Sequence, residues 1–330
     1  MNYRKISQGE LEISSICLGC WAIVGDTTWG SQDLDNSIAT IQRALDLGIN
    51  FLDTAEAYGD GLSERLIAKA LTGRKREDVV IATKVLPQNL KKERLIRSCE
   101  ASLHRLNTDY IDVYYIHWPN RSIPLEETIE TMERLKSQGK IRYIGVSNFG
   151  KKDLSEMVRL VKPVINQLPY SLLWRAIEFE ILPTCKKYEV PVACYSPLMQ
   201  GLLTGKFRSA DEVPVGRART RLFRGNRPMS RHGEKGAEVE TFAAINKIRE
   251  ISEDVGVSMT QLSLAWLLEQ ECVACVVVGA RSPEQVEEIV KGSDIKLSKE
   301  IISRLNKATE LIKTLMGNNP DMWQSESRFR

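Results

Sequence analysis

The stretch Ile111–Val146, IDVYYIHWPNRSIPLEETIETMERLKSQGKIRYIGV, holds one complete strand–helix–strand unit. Ile111–Ile116 is a short run of β-branched and aromatic residues, the composition of a buried strand. Leu125–Gln138 then places apolar residues at helical spacing, and Gly139 falls where a helix C-cap glycine is expected. Tyr143–Val146 is a second short apolar run. Strand, helix and strand in that order imply parallel strands joined by a crossover, since a tight hairpin joins only antiparallel ones.

The alternation continues in both directions. Ile16–Leu18, Asn50–Leu52, Val79–Ala82, Val164–Asn166, Val192–Cys194 and Val276–Val278 read as further strands. Leu34–Leu47, Ser63–Leu71, Leu90–Leu106, Lys152–Val161 and Ile177–Tyr188 carry helical patterns, the first ended by Gly48. Eight such strands point to an α/β fold, a closed (β/α)8 TIM barrel forming a single domain over residues 1–330. An open dinucleotide-binding sheet would need Gly-x-Gly-x-x-Gly after its first strand, and Leu18-Gly19-Cys20-Trp21-Ala22-Ile23 does not supply it. Tyr3–Ile6, Gly9 and Leu11–Ile13 read as an N-terminal β-hairpin plugging the barrel floor. Extra C-terminal helices are expected at Phe242–Glu253, Met259–Glu269 and Lys299–Lys313, followed by a tail, Met316–Arg330.

Composition narrows the function classes. Of 330 residues, 42% are hydrophobic and 27% charged, and 46 basic against 43 acidic residues leave a net charge of +3. So balanced a chain is not expected to have nucleic acid or an anionic membrane as its partner. No apolar run reaches the roughly 20 residues that span a bilayer. Met1-Asn2-Tyr3-Arg4-Lys5 lacks the apolar core of a secretory signal, so a cytoplasmic location is expected. The seven cysteines include the pairs Cys17/Cys20 and Cys272/Cys275. Residues three apart on a strand point to opposite faces, so these read as buried reduced thiols, and no metal is expected.

Barrels of this kind build their sites at the C-terminal ends of the strands. Those ends carry Asp53-Thr54, Thr83-Lys84, His117-Trp118, Ser147-Asn148, Gln167, Tyr195-Ser196 and Gly279-Ala280-Arg281, with Tyr58 just beyond Asp53. Singly, Asp53 reads as a turn cap, Lys84 as a rim lysine and His117 as a satisfied core histidine. Together, at the ends of three consecutive strands, they suit proton transfer. A buried lysine must be paired to keep its charge, and Asp53 is the natural partner. An isolated tyrosine titrates near 10, and a neighbouring cation lowers that value, the shift expected for Tyr58 beside Lys84. His117 would orient a carbonyl or pass a proton.

These motifs resemble those of the aldo-keto reductase superfamily. The likeness lies in Leu52-Asp53-Thr54-Ala55-Glu56-Ala57-Tyr58-Gly59, Ile81-Ala82-Thr83-Lys84, Tyr115-Ile116-His117-Trp118-Pro119 and the stretch Gly139–Phe149. It continues through Asn166-Gln167, Tyr195-Ser196-Pro197-Leu198, Gly201–Lys206 and Gly279–Gln285, essentially along the whole chain. Trp21, Trp29-Gly30, the long loop after the seventh strand and the tryptophan-bearing tail are similar to the bacterial branch with general-stress and inositol-type reductases. The resemblance implies an oxidoreductase that reduces small aldehydes and ketones by reversible hydride transfer. Asp53, Tyr58, Lys84 and His117 match its catalytic tetrad, with Tyr58 as general acid.

The resemblance further implies NADPH/NADP+ as cofactor. Ser147, Asn148 and Gln167 match positions that bind the nicotinamide carboxamide, and Tyr195 the aromatic residue stacked on its ring. Ser196, Leu198, Gly201, Leu202 and Lys206 match the pyrophosphate region, and Gly279, Arg281 and Gln285 the 2′-phosphate and its ribose. Glu288 matches an adenine contact. Many relatives carry a lysine near Gly279, an arginine at Gln285 and an asparagine at Ile289. NADPH therefore rests on Arg281, with NADH as the alternative. Trp21, which also borders the cofactor, and Trp29, Trp118 and Trp323 are candidate walls of the substrate pocket. Arg208, Arg217, Arg219, Arg221, Arg224, Arg227 and Arg231, in the loop 207–236, read equally as a solvated surface or a pyrophosphate lid. A monomer or weak homo-oligomer is expected.

Three other readings compete: a Schiff-base aldolase using Lys84, a redox-sensing NADPH-binding module related to potassium-channel β-subunits, and an NAD-dependent polyol or sugar dehydrogenase. Pairing with Asp53 would hold Lys84 protonated, against the first. No obvious partner-binding extension precedes Tyr3, against the second.

Overall fold

The computed structural model describes residues 1–330, Gln8 by its backbone alone. Strands β1 (Tyr3–Ile6) and β2 (Leu11–Ser14) form an antiparallel hairpin. The barrel strands are β3 (Ile16–Gly19), β4 (Phe51–Asp53), β5 (Val80–Val85), β6 (Ile111–Ile116), β7 (Ile141–Ser147), β8 (Asn166–Pro169), β9 (Val192–Tyr195) and β10 (Val273–Gly279). Each pairs in parallel with its neighbours, and β10 closes on β3, giving the expected barrel.

The surrounding helices are α1 (Leu34–Asp46), α2 (Leu62–Ala70), α3 (Lys92–Leu106), α4 (Leu125–Ser137), α5 (Lys151–Leu160) and α6 (Ile181–Tyr188). Then come α7 (Glu238–Val255), α8 (Met259–Leu268), α9 (Pro283–Lys291) and α10 (Lys299–Met316). Sequence reading missed α9 and began α7 four residues late, at Phe242. The signal for α9 was Ser282-Pro283: proline at a first helical position lacks only an N–H that would have no intrahelical partner.

Period-two alternation explains β6. Val113 and Tyr115 point into the barrel with Cys17, Phe51, Ala193, Cys275 and Val277, whereas Tyr114 and Ile116 pack outward with the helices. Helix α4 buries Thr128, Ile129, Met132 and Leu135, one stripe at helical spacing. Burying a side chain the size of Ile129 or Leu135 contributes roughly 1.5–3 kcal/mol. The turn after α4 passes through Gly139 at φ +74, a conformation a Cβ would strain.

The hairpin closes the end opposite the site. Ile6, Leu11 and Ile13 join the interior cluster. The Arg4 guanidinium donates to the carbonyls of Leu268, at 2.7 Å, and Val273, and Asn50 Oδ1 accepts from Ser14 N at 2.7 Å. Val273 opens β10 and Asn50 immediately precedes β4, so the hairpin sits on the barrel floor, as expected. Among the described residues no helix is long and apolar enough to cross a membrane.

Candidate active site

Lys84, on β5, is completely buried, and Asp53, at the end of β4, is 2% exposed. Lys84 Nζ donates to Asp53 Oδ1 at 2.5 Å, to the Thr54 carbonyl at 2.7 Å and to Tyr58 Oη at 3.3 Å, which uses its three protons. The other Asp53 oxygen accepts from Gln167 Nε2 at 2.7 Å. Gln167, expected to bind the nicotinamide carboxamide, lines the cavity and gives one amide proton to Asp53. Burial pulls the Lys84 pKa down, while Asp53 and Tyr58 push it up further, so it ends above the ordinary lysine value and the cation persists.

The expected lowering of the Tyr58 pKa is not found. Burial raises it more than the Lys84 charge lowers it, and Tyr58 titrates above an ordinary tyrosine. Tyr58 is therefore a neutral phenol at physiological pH, with a proton to give. Trp21 stacks on it at 5.9 Å between centroids and 17° between planes, and Trp29 meets Trp21 edge-on at 5.4 Å. Asp26 fixes that loop: it accepts from Trp21 Nε1 at 3.0 Å and from the backbone N–H groups of Thr28 and Trp29 at 2.7 and 2.9 Å. His117 lies edge-on to Tyr58 at 6.1 Å. Burial, then the Lys84 and Arg328 charges, pull its pKa down to about 3, so the imidazole is neutral. Its Nδ1 is buried without a partner.

These groups open onto a cavity of about 930 Å³. Trp21, Trp29, Asp53, Tyr58, His117, Trp118 and Trp323 line it. So do Ser147, Asn148, Gln167, Tyr195, Ser196, Leu198, Gly201, Lys206, Gly279, Arg281, Gln285 and Glu288. Lys84 lies behind Tyr58 rather than on the wall. The Leu202 side chain is 2% exposed and packs in the core, which leaves only its backbone for the expected pyrophosphate contact.

Several of these polar groups are engaged with one another. Asn148, at φ +63, donates from Nδ2 to the His117 carbonyl and Ser147 Oγ, both at 3.0 Å, and accepts from Tyr195 Oη at 2.9 Å. Ser147 Oγ donates to the Gln167 carbonyl at 3.1 Å. Arg281, expected to grip a 2′-phosphate, is tied to the loop after β3. Its Nη1 donates to the Trp29 carbonyl at 2.7 Å, Nε to Gln32 Oε1 at 2.8 Å, and Nη2 to the Ser31 carbonyl. Gln32 and Asn36 donate back to the Arg281 carbonyl at 2.9 and 2.6 Å. Gln285 Oε1 accepts from Arg281 N at 2.9 Å, and Glu288 accepts from Gln261 Nε2 at 2.9 Å.

A cationic corner forms at Gly201. A Cβ there would lie 3.1 and 3.2 Å from Lys206 Cε and Nζ and 3.6 Å from Arg217 Nη1, and its φ of +95 is itself a glycine conformation. Burial lowers the Lys206 and Arg217 pKa values, and nearby cations, Arg281 among them, lower both further. Arg217 Nε is buried with no partner. This corner suits an anion, and sequence reading did not single out Arg217.

The arginines of the loop do not all follow either reading: some line the cavity and others are paired within the fold. Arg217, Arg219 and Arg231 line the cavity. Arg221 is buried, pairs with Glu234 at 2.8 Å and donates to the Asn319 carbonyl at 3.0 Å. Arg224 and Arg227 pair with Glu238 at 3.1 and 2.5 Å. The tail folds back over the mouth. Buried Asp321 holds Arg328 through Nε at 2.6 Å and Nη2 at 2.9 Å, and the Arg328 guanidinium lies 3.7 Å over the Trp118 ring. Arg219, Arg231 and Arg328 were not foreseen as individual wall residues, because neither motif nor spacing marks them.

Comparisons with known proteins point to one family. The model of the Aldo/keto reductase family matches residues 15–310. Aldo-keto reductase YhdN of Bacillus subtilis is 36% identical over 321 residues, covering 94% of each chain. An NADH-specific methylglyoxal reductase of Escherichia coli is 35% identical, covering 89% of this chain and 95% of its own. The crystal structure of an aldo-keto reductase from Klebsiella pneumoniae in complex with NADPH superposes with a TM-score of 0.73 at 29% identity, covering 93% and 95% of the two chains.

Proposed function

The chain belongs to the aldo/keto reductase family, an NAD(P)H-dependent oxidoreductase family, and on that premise we propose that it reduces small aldehydes or ketones, with Tyr58 as proton donor. The observation that carries this reading is the Asp53–Lys84–Tyr58 chain of contacts at 2.5 and 3.3 Å. It places a fixed cation against a neutral phenol in the same cavity as a neutral imidazole. A reduced nicotinamide bound in the cavity would supply the hydride.

The chain's own residues do the rest. As the carbonyl oxygen gains negative charge, Tyr58 passes it a proton, and the nascent phenolate is stabilised by Lys84. Asp53 keeps Lys84 charged and aimed, and Gln167 keeps Asp53 in place. His117, neutral and with Nδ1 walled off, has Nε2 left to donate a hydrogen bond to the carbonyl oxygen and orient it. Asn148 orients Tyr195, the residue proposed to stack on the nicotinamide. Lys206, Arg217 and the backbone at Gly201 fit a pyrophosphate, and the unpartnered Arg217 Nε supports that assignment.

NADPH is the cofactor we favour. Two of the five N–H groups of Arg281 are left for a phosphate, although much of its fork is occupied. The NADH-specific relative makes NADH the alternative, and kcat/KM with each cofactor decides between them. For the chemistry, Tyr58→Phe should lower kcat at least about 100-fold while the Kd for NADPH, read by fluorescence, changes less than about threefold. Near-normal aldehyde turnover in that variant would remove Tyr58 from the reaction.

A further inference from the structure

We propose that the mouth of the cavity contains a subsite for an anionic group on the substrate, formed by Arg219 and Arg231, so that the preferred carbonyl compounds carry a carboxylate or phosphate at their far end. The proposal rests on the reading that the Tyr58 end of the cavity takes the carbonyl.

The cations on the cavity wall fall into separate groups. Lys206 and Arg217 converge on Gly201, and both feel the charge of Arg281. That group suffices for the phosphates of a nicotinamide cofactor. Arg219 belongs elsewhere. Beyond its burial, the charges it feels are those of Arg231 and, with opposite sign, Asp26, not those of Lys206, Arg217 or Arg281. Arg217 reaches toward Gly201, whereas Arg219, two residues on, reaches toward Thr28 Oγ1 at 3.3 Å and lies 4.6 Å over the Trp323 ring.

Neither Arg219 nor Arg231 has a carboxylate within ion-pair distance among the described residues. The hydrogen bonds of Arg219 go to neutral acceptors, the Gly216 carbonyl at 2.8 Å and Thr28 Oγ1. Asp26 has its oxygens occupied by Trp21, Thr28 and Trp29. Elsewhere in this loop pairing is the pattern: Arg221 has Glu234, and Arg224 and Arg227 share Glu238. Arg328, also on the wall, is neutralised by Asp321. Of the loop's unpaired arginines, Arg208 is exposed away from the cavity, whereas Arg217, Arg219 and Arg231 face it.

The wall also gives a direction. Tyr58 stacks on Trp21, Trp21 meets Trp29, and Thr28 beside Trp29 contacts Arg219. A substrate lying along these indoles with its carbonyl at Tyr58 points its other end at Arg219. A partly desolvated guanidinium binds a carboxylate or phosphate through paired, charge-assisted hydrogen bonds, and a second arginine strengthens the attraction.

The test compares kcat/KM, with NADPH, for succinic semialdehyde against butanal and for glyceraldehyde phosphate against glyceraldehyde. In at least one pair the anionic member should be favoured about tenfold or more at low salt, the worth of one charge-assisted hydrogen bond. That preference should shrink as salt is raised and fall toward unity in Arg219→Ala and Arg231→Ala. Arg219→Lys, which keeps the charge, should recover part of it, excluding simple misfolding. The pair that shows the preference identifies the anion. A ratio near unity for both pairs in the native enzyme, or an unchanged ratio in Arg219→Ala, overturns the proposal. So does a variant that weakens NADPH binding while leaving the ratio intact, which would assign these arginines to the cofactor. If the native enzyme turns over none of the four compounds, the reductase reading fails instead.

Discussion

His117 sits where two demands meet: it must hydrogen-bond a carbonyl oxygen, yet it lies near the Lys84 and Arg328 cations. A protonated ring there would add a third positive charge, and with a pKa near 3 the neutral form prevails. This has a measurable consequence for stability. In the unfolded chain the ring titrates near the ordinary 6.5, so below that pH the unfolded state takes up a proton that the folded state refuses until about pH 3. The folded state is thus unpenalised above pH 6.5 and loses stability as pH falls from there toward 3. At about pH 5 the loss amounts to roughly 2 kcal/mol. His117→Gln, which cannot titrate, should escape it. Urea unfolding of both proteins at about pH 7.5 and about pH 5 should show a decline smaller by roughly 2 kcal/mol in the variant. Equal declines would mean that His117 is not held neutral by the fold.

Between elements, Arg281 joins the loop after β10 to the loop after β3, which carries Trp21 and Trp29. A pure clamp on a 2′-phosphate would matter only with NADPH. A strut should matter with either cofactor, because its loss frees the wall beside Tyr58. Arg281→Ala is therefore expected to raise the KM for a carbonyl substrate several-fold with NADH as well as NADPH, because the wall beside Tyr58 loosens whichever cofactor is bound. An unchanged carbonyl KM with NADH would restore the clamp as its sole role. The same residue shows what could be read in advance. Its position at a strand end was legible, as were those of Asp53, Lys84 and His117, because strand runs and their exits are local patterns. What its guanidinium touches was not, since Trp29 and Ser31 lie some 250 positions away in the chain. Arg219 was hidden for a similar reason: its direction is set where Gly216 packs against Thr27 and Thr28, too close for any Cβ. The Tyr58 shift was misjudged because the Lys84 charge can be read from a motif, whereas the burial that outweighs it belongs to the assembled barrel.

That barrel ties the floor of the site to the whole molecule. Gly145 on β7 stands opposite Tyr115 on β6, and a Cβ at Gly145 would come within 2.7 Å of the Tyr115 ring and 2.9 Å of Val113 Cγ1. In an open sheet an edge strand could shift aside. Here each barrel strand is paired on both sides, so relief must come from side chains inside a packed interior. Overpacking of this kind costs roughly 1–3 kcal/mol, and Gly145→Ala should lower the unfolding free energy by that amount. The effect should also reach the chemistry, because the Tyr115 ring centroid is 5.9 Å from Lys84 Nζ and a displaced ring presses toward the Lys84–Asp53 pair. A fall in kcat accompanying the loss of stability is therefore expected. Adding Tyr115→Leu to Gly145→Ala separates steric crowding from other causes. If crowding is the cause, the double variant is more stable than the sum of the single changes implies, by about 1 kcal/mol in a denaturant-unfolding cycle. Strict additivity would show that the interior accommodates the methyl group and that Gly145 answers to some other constraint.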